Sequence, residues 1–315
     1  MLKEDLEKLD IENILDLINK NGGVILPNFL SHETVNLFLS DFESVNKENL
    51  NNNNSGIVFY NNQKFISQTL VHSKNTFDFL INDKLQNIFA HHLGSNTIKA
   101  CRYYKTGGGA ISLWHHDEKN DGYKSLGLIV IIYLSNVTSI NEGPFEFIKG
   151  THLISEALDD KYYWADNIQK NHKNDIVSCL GNAGTVIIAD SRIIHRAAPH
   201  KGRHFRTSLF TQISSLEDDT YRERILVNPS FVTNRVIKSK QLMNFLGFGL
   251  KNSGAIFPPT NFSHVPFNAN ILKMITGWMI HKIFHNSFEL LPVFLKKMVR
   301  KKIGKELDYK SQARK

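Results

Sequence analysis

Cysteine is nearly absent: the chain of 315 residues has two, Cys101 and Cys179. No disulfide framework and no zinc knuckle can be built from that pair, and the count fits a reducing compartment. Both are most simply read as small buried apolar residues. A long apolar run is also missing; nothing approaches the ~20 residues of a membrane span. The opening MLKEDLEKLDIENILDL is charged throughout, without the hydrophobic stretch of a secretion signal. A cytoplasmic protein is the expectation. No internal repeat is found.

The body of the chain also lacks charge of one sign. The formal net charge is +8, but residues 296–315 hold nine Lys/Arg against two Asp/Glu, leaving 29 basic and 28 acidic residues before them. A neutral body with a basic tail argues against a nucleic-acid partner. Hydrophobic residues at 41% and charged residues at 22% are ordinary for a globular protein. The length suits one large domain, or one domain with an appendage.

Apolar residues at helical spacing over 4–20 (Leu6, Leu9, Ile14, Leu15, Ile18) predict a helix that Asn21-Gly22-Gly23 stops. GVILPNFL reads as a short strand and turn. Ser31 then caps a helix with Val35, Phe38, Leu39, Phe42 and Val45 on one face. NLNNNNSG, 49–56, is a polar loop. Residues 75–93 read as helical, broken at Asn82-Asp83.

From about residue 97 strands take over. TIKACRYYK alternates weakly. LGLIVIIYLS, 126–135, is a β-branched run buried on both faces. PFEFIKG, GNAGTVIIAD and the alternating RTSLFTQIS follow. Short strands with glycine turns predict a barrel or double-sheet jelly roll, with the preceding helices packed outside it. The expected division is 1–215 as that domain and 216–315 as an extension. The extension is a loop followed by basic amphipathic helices over 270–303, packing on or capping the domain.

The chemistry concentrates in LWHHDE, 113–118. On an extended segment residues two apart point the same way, so His115 and Asp117 share a face and His116 turns to the other. Redox-active iron(II) is typically held by two histidines and one carboxylate on one face. His195, just after the strand GTVIIAD, is the candidate third ligand. Eleven residues on, Arg206 opens the alternating strand, with Ser208 on the same face. A guanidinium beside a hydroxyl suits a bidentate grip on a carboxylate. These parts fit one chemistry: iron with three protein ligands, a 2-oxo diacid chelated to it and anchored at Arg206, and O2 at the remaining position.

YKTGGGAISLWHHD, NEGPFEFIKGTH and HRAAPHKGRHFR, together with GVILPNFLSHETVNLF, resemble segments of the phytanoyl-CoA dioxygenase family of Fe(II)/2-oxoglutarate oxygenases. The likeness runs from about Gly22 to Ser214. It implies an all-β core with flanking helices (α+β), a double-stranded β-helix or jelly roll, cupin-like. It implies the metal ligands and catalytic residues His115, Asp117 and His195, and 2-oxoglutarate held by Arg206. Tyr133, eighteen residues past His115, falls where the family often places an aromatic beside the cosubstrate. His116 stands where many members have glutamine, and Ala197 where many have a small polar residue. Part of the usual carboxylate grip is then either missing or supplied by Ser208 or Thr207. The retained Asp117 favours hydroxylation or desaturation over halogenation, which needs room there for chloride.

The resemblance therefore implies an iron-dependent dioxygenase that hydroxylates an aliphatic carbon of a small-molecule or lipid-like metabolite, releasing succinate and CO2. The other reading is an inactive jelly-roll binding module attached through its basic C-terminal segment to a membrane or complex. For residues 270–315 three readings stay open: a helix packed on the barrel, a peripheral membrane element, or a contact for an acidic partner or carrier. Trp114 reads as packing, His152 as a structural turn residue, and His200 and His204 as solvated loop residues. Strand parity leaves open whether Tyr103 and Lys105 face the pocket.

Overall fold

A computed structural model describes residues 2–48, 57–60, 63–66, 69–108, 114–117, 126–153, 165–217 and 225–248. The polar loop at 49–56 and the amphipathic and basic stretch at 270–315 lie outside the described residues.

The N-terminal apolar pattern forms two helices, α1 (Leu2–Glu7) and α2 (Ile11–Asn21). The single helix expected over 4–20 is interrupted because Asp10 caps α2, its carboxylate accepting from the Asn13 backbone N–H at 3.2 Å. Gly22 ends α2 at φ +84°, and a Cβ there would stand 2.4 Å from Ile193 Cδ1 and 2.6 Å from His152 Nδ1. Strand β1 (Gly23–Leu26) follows, then α3 (His32–Glu48), capped by the Ser31 hydroxyl as expected.

A hairpin of β2 (Ile57–Tyr60) and β3 (Gln63–Ile66) leads to α4 (Thr69–His72), α5 (Lys74–Leu80) and α6 (Asp83–Leu93). The break between α5 and α6 falls at Asn82, whose side chain caps α6. Then come β4 (Asn96–Thr106), β5 (Gly127–Tyr133), β6 (Phe145–Ile148), α7 (Ala165–His172), β7 (Ile176–Cys179), β8 (Val186–Asp190), β9 (His195–Ala197), β10 (Arg206–Ser215), α8 (Asn234–Lys238) and α9 (Lys240–Phe245).

Two antiparallel sheets result, in the orders β1-β8-β5-β10-β4-β3-β2 and β7-β6-β9. The fold is an antiparallel jelly roll with flanking helices. Every residue of β5 is buried, because both of its faces are covered. On one side Leu128, Val130 and Ile132 join the helix-packed core with Phe38, Phe77 and Phe89. On the other, Ile129, Ile131 and Tyr133 meet Phe145 and Phe147 of the second sheet. Alternation along one strand thus divides an outer helix layer from the space between the sheets.

Past residue 215 the chain returns to this core. Val236, Leu242, Phe245 and Leu246 are buried in the helix-side cluster, and the Phe245 ring stacks on Phe89 at 5.8 Å.

Candidate metal and cosubstrate site

Backbone pairing brings the three predicted residues together. His115 forms an isolated antiparallel bridge with His195 at the free edge of the smaller sheet. The His115 N–H donates to the His195 carbonyl at 2.9 Å, and the His195 N–H to the His115 carbonyl at 2.7 Å. Two residues on, the Asp117 N–H donates to the Ser191 carbonyl at 3.0 Å, fixing Asp117 to the turn after β8.

On this frame the side chains converge. His115 Nε2 lies 3.5 Å from Asp117 Oδ1, and His195 Nε2 lies 3.7 Å from Asp117 Oδ2. One ligand atom from each of the three lies within 4.8 Å of the others, and they form the only metal-capable cluster among the described residues. His115 and Asp117, which share a face by parity, are both in the cluster, and His116 is not.

The electrostatics suit a metal. His195 Nδ1 faces the Ile193 carbonyl at 3.0 Å. A carbonyl only accepts, so Nδ1 carries the hydrogen and Nε2 keeps its lone pair toward Asp117. Burial, reinforced by the neighbouring His115, pushes His195 down to about 4, so it is neutral near pH 7. Burial alone would raise Asp117, but His195, His115 and Lys99 outweigh it and hold the carboxylate well below its usual range. Two imidazoles and one carboxylate on one face form the donor set that suits iron(II).

Arg206 tests the fit of a dianionic cosubstrate. It is 8% exposed, and among the described residues its hydrogen bond is a long one, 3.5 Å from Nη2 to Thr106 Oγ1. Its buried Nε has no partner. A buried guanidinium so poorly satisfied calls for an anion. Ser208 lies two residues along β10 on the same face and pairs with Tyr133 of β5 and Tyr104 of β4. Ala197, facing Phe145 across the smaller sheet, contributes only a methyl group, so the hydroxyls near Arg206 are those of Ser208 and of Thr106.

Tyr133 reaches between the sheets. Its hydroxyl donates to the Cys179 carbonyl and accepts from the Phe145 N–H, each at 2.9 Å, so it ties the sheets together as well as flanking Arg206. Burial pushes its hydroxyl far above the ordinary tyrosine value.

The structure settles the residues around the site. Trp114 is buried with Ile148, Ile168 and Ile194, and the Arg196 guanidinium lies 4.4 Å from its ring centroid. His152 is structural as expected, its Nε2 donating to the Asn19 carbonyl at 3.0 Å. His204 is exposed. His200 is not solvated: it is 2% exposed, because its backbone bridges Glu142 and its Cβ packs against Gly143. Tyr103 turns away from the site, bonded to Ser73 and Thr76 and edge-on to Phe42 in the helix layer. Lys105 shares the Tyr103 parity and rests over the Phe205 ring. The site face of β4 carries Arg102, Tyr104 and Thr106 instead. Both cysteines are buried, and burial pushes the Cys101 thiol up to about 11.

A jelly roll with a two-histidine, one-carboxylate centre and a buried arginine beyond it defines the class of the iron- and 2-oxoglutarate-dependent oxygenases. Comparison places the chain within that class. The phytanoyl-CoA dioxygenase (PhyH) profile matches residues 18–208, and the chain belongs to that family. Comparison with curated proteins finds no match.

Solved structures show the same fold. HygX from Streptomyces hygroscopicus, with nickel and 2-oxoglutarate bound, is 13% identical with a TM-score of 0.51 over 70% of this chain and 93% of its own. SnoK, a carbocyclase of nogalamycin biosynthesis, is 16% identical with a TM-score of 0.51 over 67% and 86%. SnoN, an epimerase of the same biosynthesis, is 14% identical with a TM-score of 0.50 over 65% and 82%.

Proposed function

We propose that this oxygenase hydroxylates an aliphatic carbon of a small-molecule or lipid-like metabolite, converting 2-oxoglutarate to succinate and CO2. In this reading His115, Asp117 and His195 hold iron(II), Arg206 binds the distal carboxylate of 2-oxoglutarate, and Ser208 and Tyr133 flank it. The observation that carries the reading is the buried Arg206 guanidinium with its partnerless Nε, in the same barrel as the His–Asp–His cluster. Bound iron and 2-oxoglutarate would supply activation of O2 and the oxidising equivalents for C–H hydroxylation.

The chain itself supplies positioning. The Ile193 carbonyl fixes the His195 ring so that Nε2 is available to a metal. The reciprocal bonds between His115 and His195 hold two ligands at one spacing, and the Ser191 carbonyl holds the third. Asp117 stays ionised in this setting and offers a carboxylate rather than a carboxylic acid. Its presence supports hydroxylation over halogenation, because the carboxylate fills the place a halide would need. Arg206, out of water at the far side, would grip a carboxylate more strongly than a surface arginine.

The test is iron-dependent conversion of 2-oxoglutarate to succinate. Asp117→Ala is expected to abolish it; turnover at the wild-type rate in that variant would sink the assignment. A binding module without chemistry would show no iron-dependent succinate under any condition.

A further inference from the structure

The three residues of the metal-capable cluster all hang from one short stretch of backbone. The Ser191 carbonyl accepts from the Asp117 N–H at 3.0 Å, the Ile193 carbonyl from His195 Nδ1 at 3.0 Å, and the His195 carbonyl from the His115 N–H at 2.9 Å. Alternate carbonyls of this stretch, at 191, 193 and 195, thus each hold one member of the cluster. The site can be no better placed than these carbonyls are.

The far end of the stretch is held in the smaller sheet, where His195 pairs with Phe147. The near end is the turn that follows β8, and a turn pairs less of its backbone than a strand does. Three main-chain bonds dock this one. The Asp190 N–H donates to the Gly22 carbonyl at 2.9 Å, the Ser191 N–H to the Gly127 carbonyl at 3.0 Å, and the Ile193 N–H to the Asp190 carbonyl at 3.1 Å. The approach to β5 is close: a Cβ at Gly127 would stand 2.4 Å from Ser191 Oγ.

The Asp190 side chain completes the fastening. It is fully buried, and both of its oxygens accept twice. Oδ1 accepts from the Arg192 N–H and from Arg192 Nε, each at 2.9 Å. Oδ2 accepts from Arg192 Nη2 at 2.6 Å and from His92 Nε2 at 3.0 Å. A carboxylate only accepts, so His92 Nε2 carries its hydrogen. The bonds from Arg192 close the turn on itself. The bond from His92 ties the turn to α6 and so to the helix layer. Charge-assisted bonds of this kind are stronger than the neutral bonds of an ordinary turn. A buried carboxylate is costly without them.

We propose that Asp190 is a positioning residue for the metal centre, fixing with Arg192 and His92 the turn whose carbonyls place Asp117 and His195. This rests on the oxygenase reading above, because it takes the His–Asp–His cluster as the place where a metal binds. Asp190 lies outside that cluster and acts through the backbone.

The experiment compares full-length wild type, Asp190→Asn, His92→Leu and His92→Gln. Calorimetry measures Ni(II) affinity, and amide hydrogen exchange is followed on the metal-free proteins. Asparagine keeps the shape of aspartate but has one acceptor oxygen and no charge. Asp190→Asn is expected to weaken Ni(II) binding about tenfold or more, as for loss of an outer partner of a metal ligand. The Asp117 and His195 amides should exchange faster, while the amides of β10 keep their protection. His92→Leu should shift both readouts the same way. His92→Gln retains a donor and should stay within about twofold of the wild type in Ni(II) affinity. The His92 pair keeps the test available if Asp190→Asn does not fold.

A carboxylate that serves stability alone would leave the Ni(II) affinity of the folded protein unchanged and would lower protection throughout. Unchanged Ni(II) affinity in Asp190→Asn, or in His92→Leu where the asparagine variant does not fold, would therefore overturn the proposal. So would equal loss of protection at Asp117 and along β10. A wild type that binds no Ni(II) would instead count against the oxygenase reading. Exchange in the metal-free proteins then decides: faster exchange confined to Asp117 and His195 supports the hold of Asp190 on the turn, and its absence overturns it.

Discussion

His115 and His195 are joined twice, once through the backbone and once through their rings. Each N–H donates to the other's carbonyl, at 2.9 and 2.7 Å, and the ring centroids stand 4.4 Å apart. The spacing of these two side chains is therefore set by main-chain pairing that a metal need not supply. His115→Ala keeps that pairing and is expected to remain folded, with a melting temperature within a few degrees of the metal-free wild type, while losing metal affinity. His115→Pro removes the N–H and leaves a buried carbonyl unpaired, at a cost of about 1–3 kcal/mol. Thermal melts of the metal-free proteins check the difference; equal melting temperatures would show that the bridge does not hold the site.

Arg206 should separate cosubstrate binding from metal binding. Removing one charge-assisted anchor is expected to weaken 2-oxoglutarate by about 10- to 100-fold. Arg206→Ala should show that loss with metal affinity unchanged. Arg206→Lys should recover only part of it, because an ammonium cannot reproduce the planar fork. Titration of 2-oxoglutarate into the metal-loaded protein measures both variants.

Tyr133 is expected to act more on stability than on affinity. Its hydroxyl satisfies the Cys179 carbonyl and the Phe145 N–H, both inside the sheet-to-sheet space. Tyr133→Phe leaves both groups without that partner and should cost about 2 kcal/mol or more. Denaturant unfolding gives that number, and a parallel 2-oxoglutarate titration should change less than in Arg206→Ala.

Asp5 should mark the acid limit of the helical layer. It is 3% exposed and accepts from the Ser31 N–H and hydroxyl and the Thr34 hydroxyl, with Lys8 alongside. Burial opposes its ionisation, but the bonds from Lys8, Ser31 and Thr34 prevail and hold it at about 2, below its ordinary 3.8. The folded state thus binds this proton less readily than the unfolded chain. Its stabilisation is fully present above about pH 4 and is lost as pH falls toward 2. Asp5→Asn should be less stable than the wild type at pH 7 and should lose less stability over that acid window. Urea midpoints across the pH series test it.

Most of the site was readable because its signals are local. His115 and Asp117 are two apart, and period-two geometry alone pairs them. β5 announces itself as a β-branched run, β8 as a strand introduced by glycines and β10 by its alternation, and each lies in the interior of the larger sheet. β9 did not: it has three residues, and its strand character comes from pairing with β6. The irregularity of β4 at Lys99 was hidden for a related reason: it is a register slip against β10, more than a hundred residues away in sequence. The parity of Tyr103 and Lys105 was likewise settled only by knowing which face the helices cover. His200 looked solvated because its neighbours are polar, while its burial comes from a bridge to Glu142.

The most direct test of the central claim is optical. Anaerobic protein mixed with iron(II) and 2-oxoglutarate is expected to develop a visible metal-to-ligand charge-transfer band, since the keto acid must chelate an iron held by His115, Asp117 and His195. The account predicts the band in the wild type, its loss in Asp117→Ala, and its appearance only at much higher 2-oxoglutarate in Arg206→Ala. A wild type without the band, or an Asp117→Ala variant that shows it undiminished, would contradict the account.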